Sequence, residues 1–153
     1  MEVYDSKEDT IKHINQVVKY IDVCIDELVY RANNHDNSKL KDPEKEIFDI
    51  YTPKLKDTTY GSEEYNTYLS EMKVALDHHY KHNRHHPEHF NSNISKMNLI
   101  DIIEMICDWL AATKRHSNGN IYKSIEHNQK RFGYSDELKQ IFINTIDILE
   151  KEI

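Results

Sequence analysis

Leu99–Ala112, reading LIDIIEMICDWLAA, is the stretch on which the fold turns. Apolar residues surround its helical axis on nearly every side, so it predicts a helix running through the middle of the molecule. Asn98 stands in N-cap position with Asp101 three residues on, the spacing of a capping box. Beyond that first turn two acids interrupt the run, Glu104 and Asp108, one turn apart. An unpaired carboxylate there is costly, so each needs a cation, a hydrogen-bond donor or a metal. Arg115, further along the same face, is one candidate partner. For Asp108 an ion pair and a metal explain the burial equally well.

Working back towards the N-terminus, Ser62 with Glu63 and Glu64 behind it opens a helix whose inner face carries Tyr65, Tyr68, Leu69, Met72 and Leu76. The same three-and-four steps land next on His79, while His78 is turned about 100° away. This helix leads into His78–Phe90, HHYKHNRHHPEHF, which holds six of the ten histidines in thirteen residues. Imidazole is the commonest protein ligand for transition metals. A solvated polar loop explains the same composition, so the stretch needs partners elsewhere before it reads as a site. His82 and His89 fit the surroundings of such a site or the surface. Pro87 starts a short helical turn, and Asn91 to Lys96 reads as polar loop.

The chain opens with an amphipathic helix from Ser6 to about Tyr30, its apolar stripe at Ile11, Ile14, Val18, Ile21, Ile25 and Leu28. His13 sits at the flank of that stripe, where on its own it reads as a boundary histidine. In RANNHDNSKLKDPE, His35 and Asp36 fall side by side, although an Asx-rich turn accounts for the same letters. Asp42 as N-cap with Pro43 at the first helical position opens a short helix to about Tyr51, which Pro53 ends, and TPKLKDTTYG follows as loop. After the apolar helix, Gly119 within HSNGN acts as a stop. A helix over IYKSIEHNQKRF follows, then Gly133 and Ser135 break and re-cap the chain, and a last helix runs from Glu137 to Glu150. No strand-like alternation persists. The expected fold is an all-α, single-domain bundle of about six helices over residues 1–153.

Composition narrows the function classes. The 153 residues carry a net charge of −7 and a pI near 5.8, so no basic field advertises duplex nucleic acid as a partner. No apolar run approaches the roughly 18 residues of a membrane span, and the acidic, polar start MEVYDSKEDT is unlike a signal peptide, so a cytoplasmic location is expected. Cys24 and Cys107 lie far apart in apolar helical patterns, where buried, reduced thiols are expected. A small anionic substrate stays compatible with the charge, met locally by metal and a few Lys or Arg, with Arg115 and Arg131 able to approach an anion.

In chain order the candidates are a His on the first helix, a His-Asp pair, a His ending a helix, a His-His pair and an Asp inside a buried helix. This order resembles the HD-domain metal-dependent phosphohydrolases, whose pattern H…HD…H…H…D is spread over a helical bundle. The resemblance implies His13, His35, Asp36, His79, His85 (or His86) and Asp108 as metal ligands. The tract HDNSK is similar to the HDxGK form and so points to Lys39 as a phosphate contact, with Ser38 in place of the usual glycine. A closer resemblance, covering most of the chain, is to a family of small phage and bacterial proteins with no assigned activity. It is carried by HDxSK, YGSEEY, HHYKHNRHHPEHF, EMICDWLAATKRH and SIEHNQKRF.

With such ligands, one divalent ion held by His13, His35, Asp36 and Asp108 shares Asp36 with a second held by His79 and His85. Two ions roughly 3.5 to 4 Å apart lower the pKa of a shared water and clamp a phosphoryl group. The N/O donor mix suits Mn, Fe, Co, Ni or Zn and argues against Ca. Asp36 is then central to the chemistry, Lys39 and Arg115 or Arg131 hold phosphate oxygens, and His86 either protonates the leaving group or replaces His85. The expected activity is hydrolysis of a phosphate ester or phosphodiester, with a nucleotide or cyclic nucleotide the favoured substrate. A di-iron oxygenase uses the same ligand order, and a non-catalytic metal- or nucleotide-binding module is the third class. Metal identity and oligomeric state, including a homo-oligomer that completes the pocket, stay open.

Overall fold

The computed structural model describes residues 4–59, 62–115 and 119–151. Tyr60 and Gly61, which close the expected loop, and 116–118 of the HSNGN turn lie outside the described residues. The protein is all-α: seven α-helices and three 3₁₀ turns, with no strand among the described residues. It forms two compact units, Met1–Asn34 and His35–Ile153.

The first unit is essentially α1 (Lys7–Asn34), 28 residues long. Glu8 and Asp9 occupy its first turn, where the helix dipole favours acids, and Lys12–Glu8 and Arg31–Glu27 pair one turn apart. No helix among the described residues is long and apolar enough to cross a membrane.

The second unit holds α2 (Glu44–Asp57), α3 (Glu63–Glu71), α4 (Lys73–His82), α5 (Leu99–Thr113), α6 (Ile121–Phe132) and α7 (Asp136–Leu149). Its core is built on α5, whose Met105, Ile106 and Leu110 pack with Ile121 and Ile125 of α6 and Phe142 and Ile146 of α7. The expected caps form. Asn98 and Asp101 make a reciprocal capping box, Asn120 caps α6, and Ser135 caps α7. Gly133 ends α6 at φ 67, a conformation that suits glycine, while a Cβ on Gly119 would lie 1.8 Å from the Thr113 carbonyl oxygen.

Four local expectations need correction. Pro53 does not end α2, which runs on to Asp57. Ile47, Phe48, Tyr51 and Leu55 are all half-buried at helical spacing across the proline, so packing outweighs one lost N–H donor. The helix itself starts at Glu44, with Pro43 in cap position and Asp42 giving no side-chain cap. The single helix expected from Ser62 through His79 is instead α3 and α4, broken at Met72, although Leu76 N–H still donates to Met72 O at 3.0 Å. The inward register survives the break, with Met72 and His79 both buried. Finally, Cys24 and Cys107 are both exposed. On α5 the buried face is centred near Ile102 and Ile106, and Cys107 lies on the far side of the helix from it.

Candidate metal centre

The site is assembled by three pieces of the second unit. The turn His35–Asp36 leads into the 3₁₀ turn Asn37–Leu40, and Asp36 takes a left-handed conformation, φ 55, which Asp tolerates better than most residues. The end of α4 supplies His79. Asn83 then caps α4, donating through Nδ2 to His79 O and to Ser38 Oγ, both at 2.8 Å, so the chain doubles back and returns His85 and His86 beside His79. That return is pinned to the third piece, α5. Arg84 donates from Nε and Nη2 to the two carboxylate oxygens of Asp101, at 3.1 and 2.9 Å, and Asp101 is wholly buried. The same carboxylate that caps α5 thus seats His85 against Glu104, one turn further along. Arg84→Ala takes both guanidinium donors away from the buried Asp101 carboxylate. Because Arg84 is itself partly exposed, a loss of about 2 to 3 kcal/mol is expected, measured by urea denaturation.

Around this fold-back the imidazoles are oriented by carboxylates. Glu44, fully buried, accepts from His79 Nδ1 at 2.9 Å, from His78 Nδ1 at 2.6 Å and from Ser38 Oγ at 2.9 Å. Glu104 Oε1 lies 2.9 Å from His35 Nδ1 and 3.0 Å from His85 Nδ1. A carboxylate only accepts, so Nδ1 is the protonated nitrogen in His35, His79 and His85, and their Nε2 atoms face inward.

Those Nε2 atoms converge on Asp36. Asp36 Oδ1 is 3.3 Å from His79 Nε2 and 3.5 Å from His85 Nε2, and Oδ2 is 3.7 Å from His35 Nε2. His86 Nε2 is 2.8 Å from His79 Nε2, and Asp108 Oδ1 is 3.7 Å from His35 Nε2. Two of these inward atoms, Asp36 Oδ1 and His85 Nε2, are buried with no hydrogen-bond partner among the described residues. Both are acceptors, and acceptors turned on one another need a cation or a shared donor between them. Among the described residues three groups have ligand atoms within 4.8 Å of one another and could hold a metal ion: Asp36, His79, His85 and His86; His35, Asp36 and Asp108; and His35, His85 and Glu104.

Charge follows the same plan. Asp108 first and Glu104 second lift the His35 imidazole to about 10. Burial works to raise Asp36, but the Lys39 ammonium, 2.7 Å from Oδ2, holds it below the usual carboxylate range. Burial likewise opposes ionisation of Asp108, yet His35 and the neighbouring imidazoles bring it down. Burial depresses His79, and burial with His85 and His79 alongside pushes His86 down to about 3. The site therefore presents neutral imidazoles at His79 and His86, two carboxylates and one protonated histidine.

Of the residues singled out in the sequence, His35, Asp36, Lys39, His79, His85, His86 and Asp108 come together here. His85 and His86 both belong to the group of ligand atoms that includes Asp36. His13 lies on α1, in the other unit, and is exposed. Arg131 is on α6 and pairs with Glu88, and Arg115 is exposed just past the end of α5. The partners that Glu104 and Asp108 show are imidazoles, not the Arg115 proposed for them. His78 does not simply face outward: it is half-buried, bonded to Glu44 and stacked on His82 with ring centroids 4.1 Å apart. Glu44 was missed as a site residue because an acid in the first turn of a helix already has an explanation in the dipole. The i, i+4 pair Glu104–Asp108 carried a signal, but only the fold divides it into one residue that orients imidazoles and one that faces the ligand atoms.

If Glu44 fixes the His79 tautomer, Glu44→Gln is expected to weaken binding of Zn²⁺ or Mn²⁺ by about 10- to 100-fold in a competition titration with a chelating dye. Unchanged affinity would mean that the imidazole is oriented without it.

The fold and site together define an all-helical protein with a buried His/Asp constellation able to hold a metal ion. Over residues 2–153 the chain matches DUF5662, a family of unknown function, and it belongs to that family. No curated protein and no solved structure matches it.

Proposed function

We propose that the protein is a metal-dependent phosphohydrolase acting on a phosphate ester or phosphodiester, with a nucleotide as the favoured substrate. The observation that carries the reading is the pair of buried acceptors, Asp36 Oδ1 and His85 Nε2, without a hydrogen-bond partner among the described residues and within a ring of imidazoles whose outer nitrogens are fixed by Glu44 and Glu104. The order of those ligands along the chain, resembling the HD phosphohydrolases, supplies the reaction class. Transition metals such as Mn, Fe, Co, Ni or Zn suit the N/O donors, and when bound supply the charge that activates water and stabilises phosphoryl oxygens.

The chain's own residues have separable roles in this reading. His79, His85 and His86 with Asp36 form one ligand group, and His35, Asp36 and Asp108 a second, so that Asp36 is shared. Lys39, already 2.7 Å from Asp36, has its ammonium at the edge of the group and can transfer a contact to a phosphate oxygen. His86, neutral to about pH 3, suits a ligand better than a proton donor to the leaving group. The test is a panel of nucleotides, cyclic nucleotides and simple phosphate esters incubated with Mn²⁺-loaded protein under anaerobic conditions, with products resolved chromatographically. Turnover is expected for at least one member. No turnover on the whole panel would refute the reading, and iron-dependent oxygen consumption would replace it with an oxygenase.

A further inference from the structure

The first unit is essentially a single helix, and none of the residues of α1 is buried. Its apolar residues are nevertheless patterned for burial. Ile11, Ile14, Val18, Ile21, Ile25 and Leu28 recur in alternating steps of three and four, the a and d positions of three heptads over residues 11–31. A stripe of that period drifts about 20° per heptad around a straight helix, and it stays on one seam only when two helices supercoil. Val17 and Cys24, both at g, widen the stripe to a band. Five of the six stripe residues, and Val17 beside them, keep between 40% and 53% of their surface in water. Covering these six on two copies removes on the order of 1,000 Å², about what a specific interface needs.

We propose that this stripe pairs with the same stripe of a second copy of the chain, the two α1 helices running antiparallel about a two-fold axis. An axis between positions 19 and 20 sets every a residue against a d residue. Ile11 meets Leu28 of the second copy, Ile14 meets its Ile25 and Val18 meets its Ile21, so each layer occurs twice and all six residues are covered. The flanks agree with that register. On one side Val17 faces Cys24 of the second copy, and on the other Asn15 faces its Asp22, so no like charges meet. A parallel pair fits less well. It sets Val17 beside Asp22 of the second copy, and it stacks Ile14 and Ile21 on themselves at d, where leucine is the residue that favours two strands. The association is independent of the phosphohydrolase reading, since no stripe residue belongs to the ligand groups of the metal centre.

Sedimentation velocity on the full chain, over a range of micromolar concentrations, is expected to show a dimer. Val18→Lys combined with Ile21→Lys places unpaired charges in the central layers and is expected to raise the dimer Kd by about a hundredfold or more. Gln16→Lys, on the far face of α1, should leave it unchanged. Trp109 is the chain's single tryptophan and lies in the second unit, so its fluorescence during urea unfolding shows whether that unit stays folded in the variants. Should the double-lysine protein fail to fold, the pairing is still read on an intact stripe. Spin labels at Asp9→Cys, in a chain carrying Cys24→Ser and Cys107→Ser, are expected roughly 35 Å apart in the antiparallel pair, from the helical rise and the usual spacing of packed helices. A separation of roughly 20 Å, as a parallel pair gives, would overturn the proposal. So would a monomer at every concentration, the result if the stripe is covered within its own chain or stays bare, a trimer or larger assembly, or a dimer indifferent to the two lysines.

Discussion

Asp36→Asn and Asp36→Ala are both expected to lose the proposed metal-dependent hydrolysis by roughly a thousandfold, about 4 kcal/mol of barrier, and to emerge from purification with less bound transition metal than the parent protein. Asp36 is singled out because its two oxygens serve different neighbours. Oδ1 faces His79 and His85, and Oδ2 faces His35 and Lys39. No other residue belongs to both of the groups formed by inward-facing atoms, the four-residue group with His86 and the group with Asp108. Asparagine keeps the shape and tolerates the left-handed backbone at this position, so its loss of metal separates charge from folding. Alanine removes both oxygens and adds backbone strain, and is expected to melt lower as well. Metal content by plasma emission spectroscopy, on protein purified without a histidine tag, gives the answer directly. An Asp36→Asn protein with full metal content would remove Asp36 from the centre and with it the bridging arrangement.

How far this site was legible beforehand depended on the physical basis of each signal. Helical register placed His79 inward because its position follows from Met72 and Leu76 regardless of chemistry, and that register holds through the break at Met72. The same reasoning treated His78 as outward, since periodicity says where a side chain starts and not what a long-range neighbour such as Glu44 offers it. His85 and His86 are adjacent, and adjacent residues on a regular element point apart. Here they sit in an irregular return between α4 and a 3₁₀ turn, where no period applies and both rings reach the cluster. Pro53 misled for the opposite reason: one residue was read as decisive against a spacing, Ile47 to Tyr51 to Leu55, that continues through it. Glu44 could not have been found by ligand order at all. It acts through Nδ1 of an imidazole, a contact that exists only once α2 and α4 have packed.

Metal affinity is expected to rise about tenfold for each unit of pH between 6.5 and 8.5, roughly a hundredfold over the window, because one histidine of the centre is occupied by a proton. With Asp108 first and Glu104 second holding it, His35 keeps its charge to about pH 10, and a metal must displace that proton to use the nitrogen. Four other ligands add nothing to the slope here. His79 and His86 are depressed and already neutral, and Asp36 and Asp108 are depressed and already ionised. The sign for the metal-free protein is the reverse. A histidine raised in the folded state contributes stability that is full below its unfolded value near 6.5 and is lost as pH climbs towards 10. The proton on His35 thus stands in for part of the positive charge that two carboxylates demand, and metal replaces it, so the metal-free protein should weaken across the interval in which the metal-bound protein gains. Competition titrations with Zn²⁺ at a series of pH values, paired with urea melts of chelated protein, measure both sides. Asp108→Asn removes the carboxylate that contributes most to raising His35, and should flatten the affinity slope towards the upper end of the window. A pH-independent affinity in the parent protein would show that His35 carries no proton to displace, and would exclude it as a ligand gated by protonation.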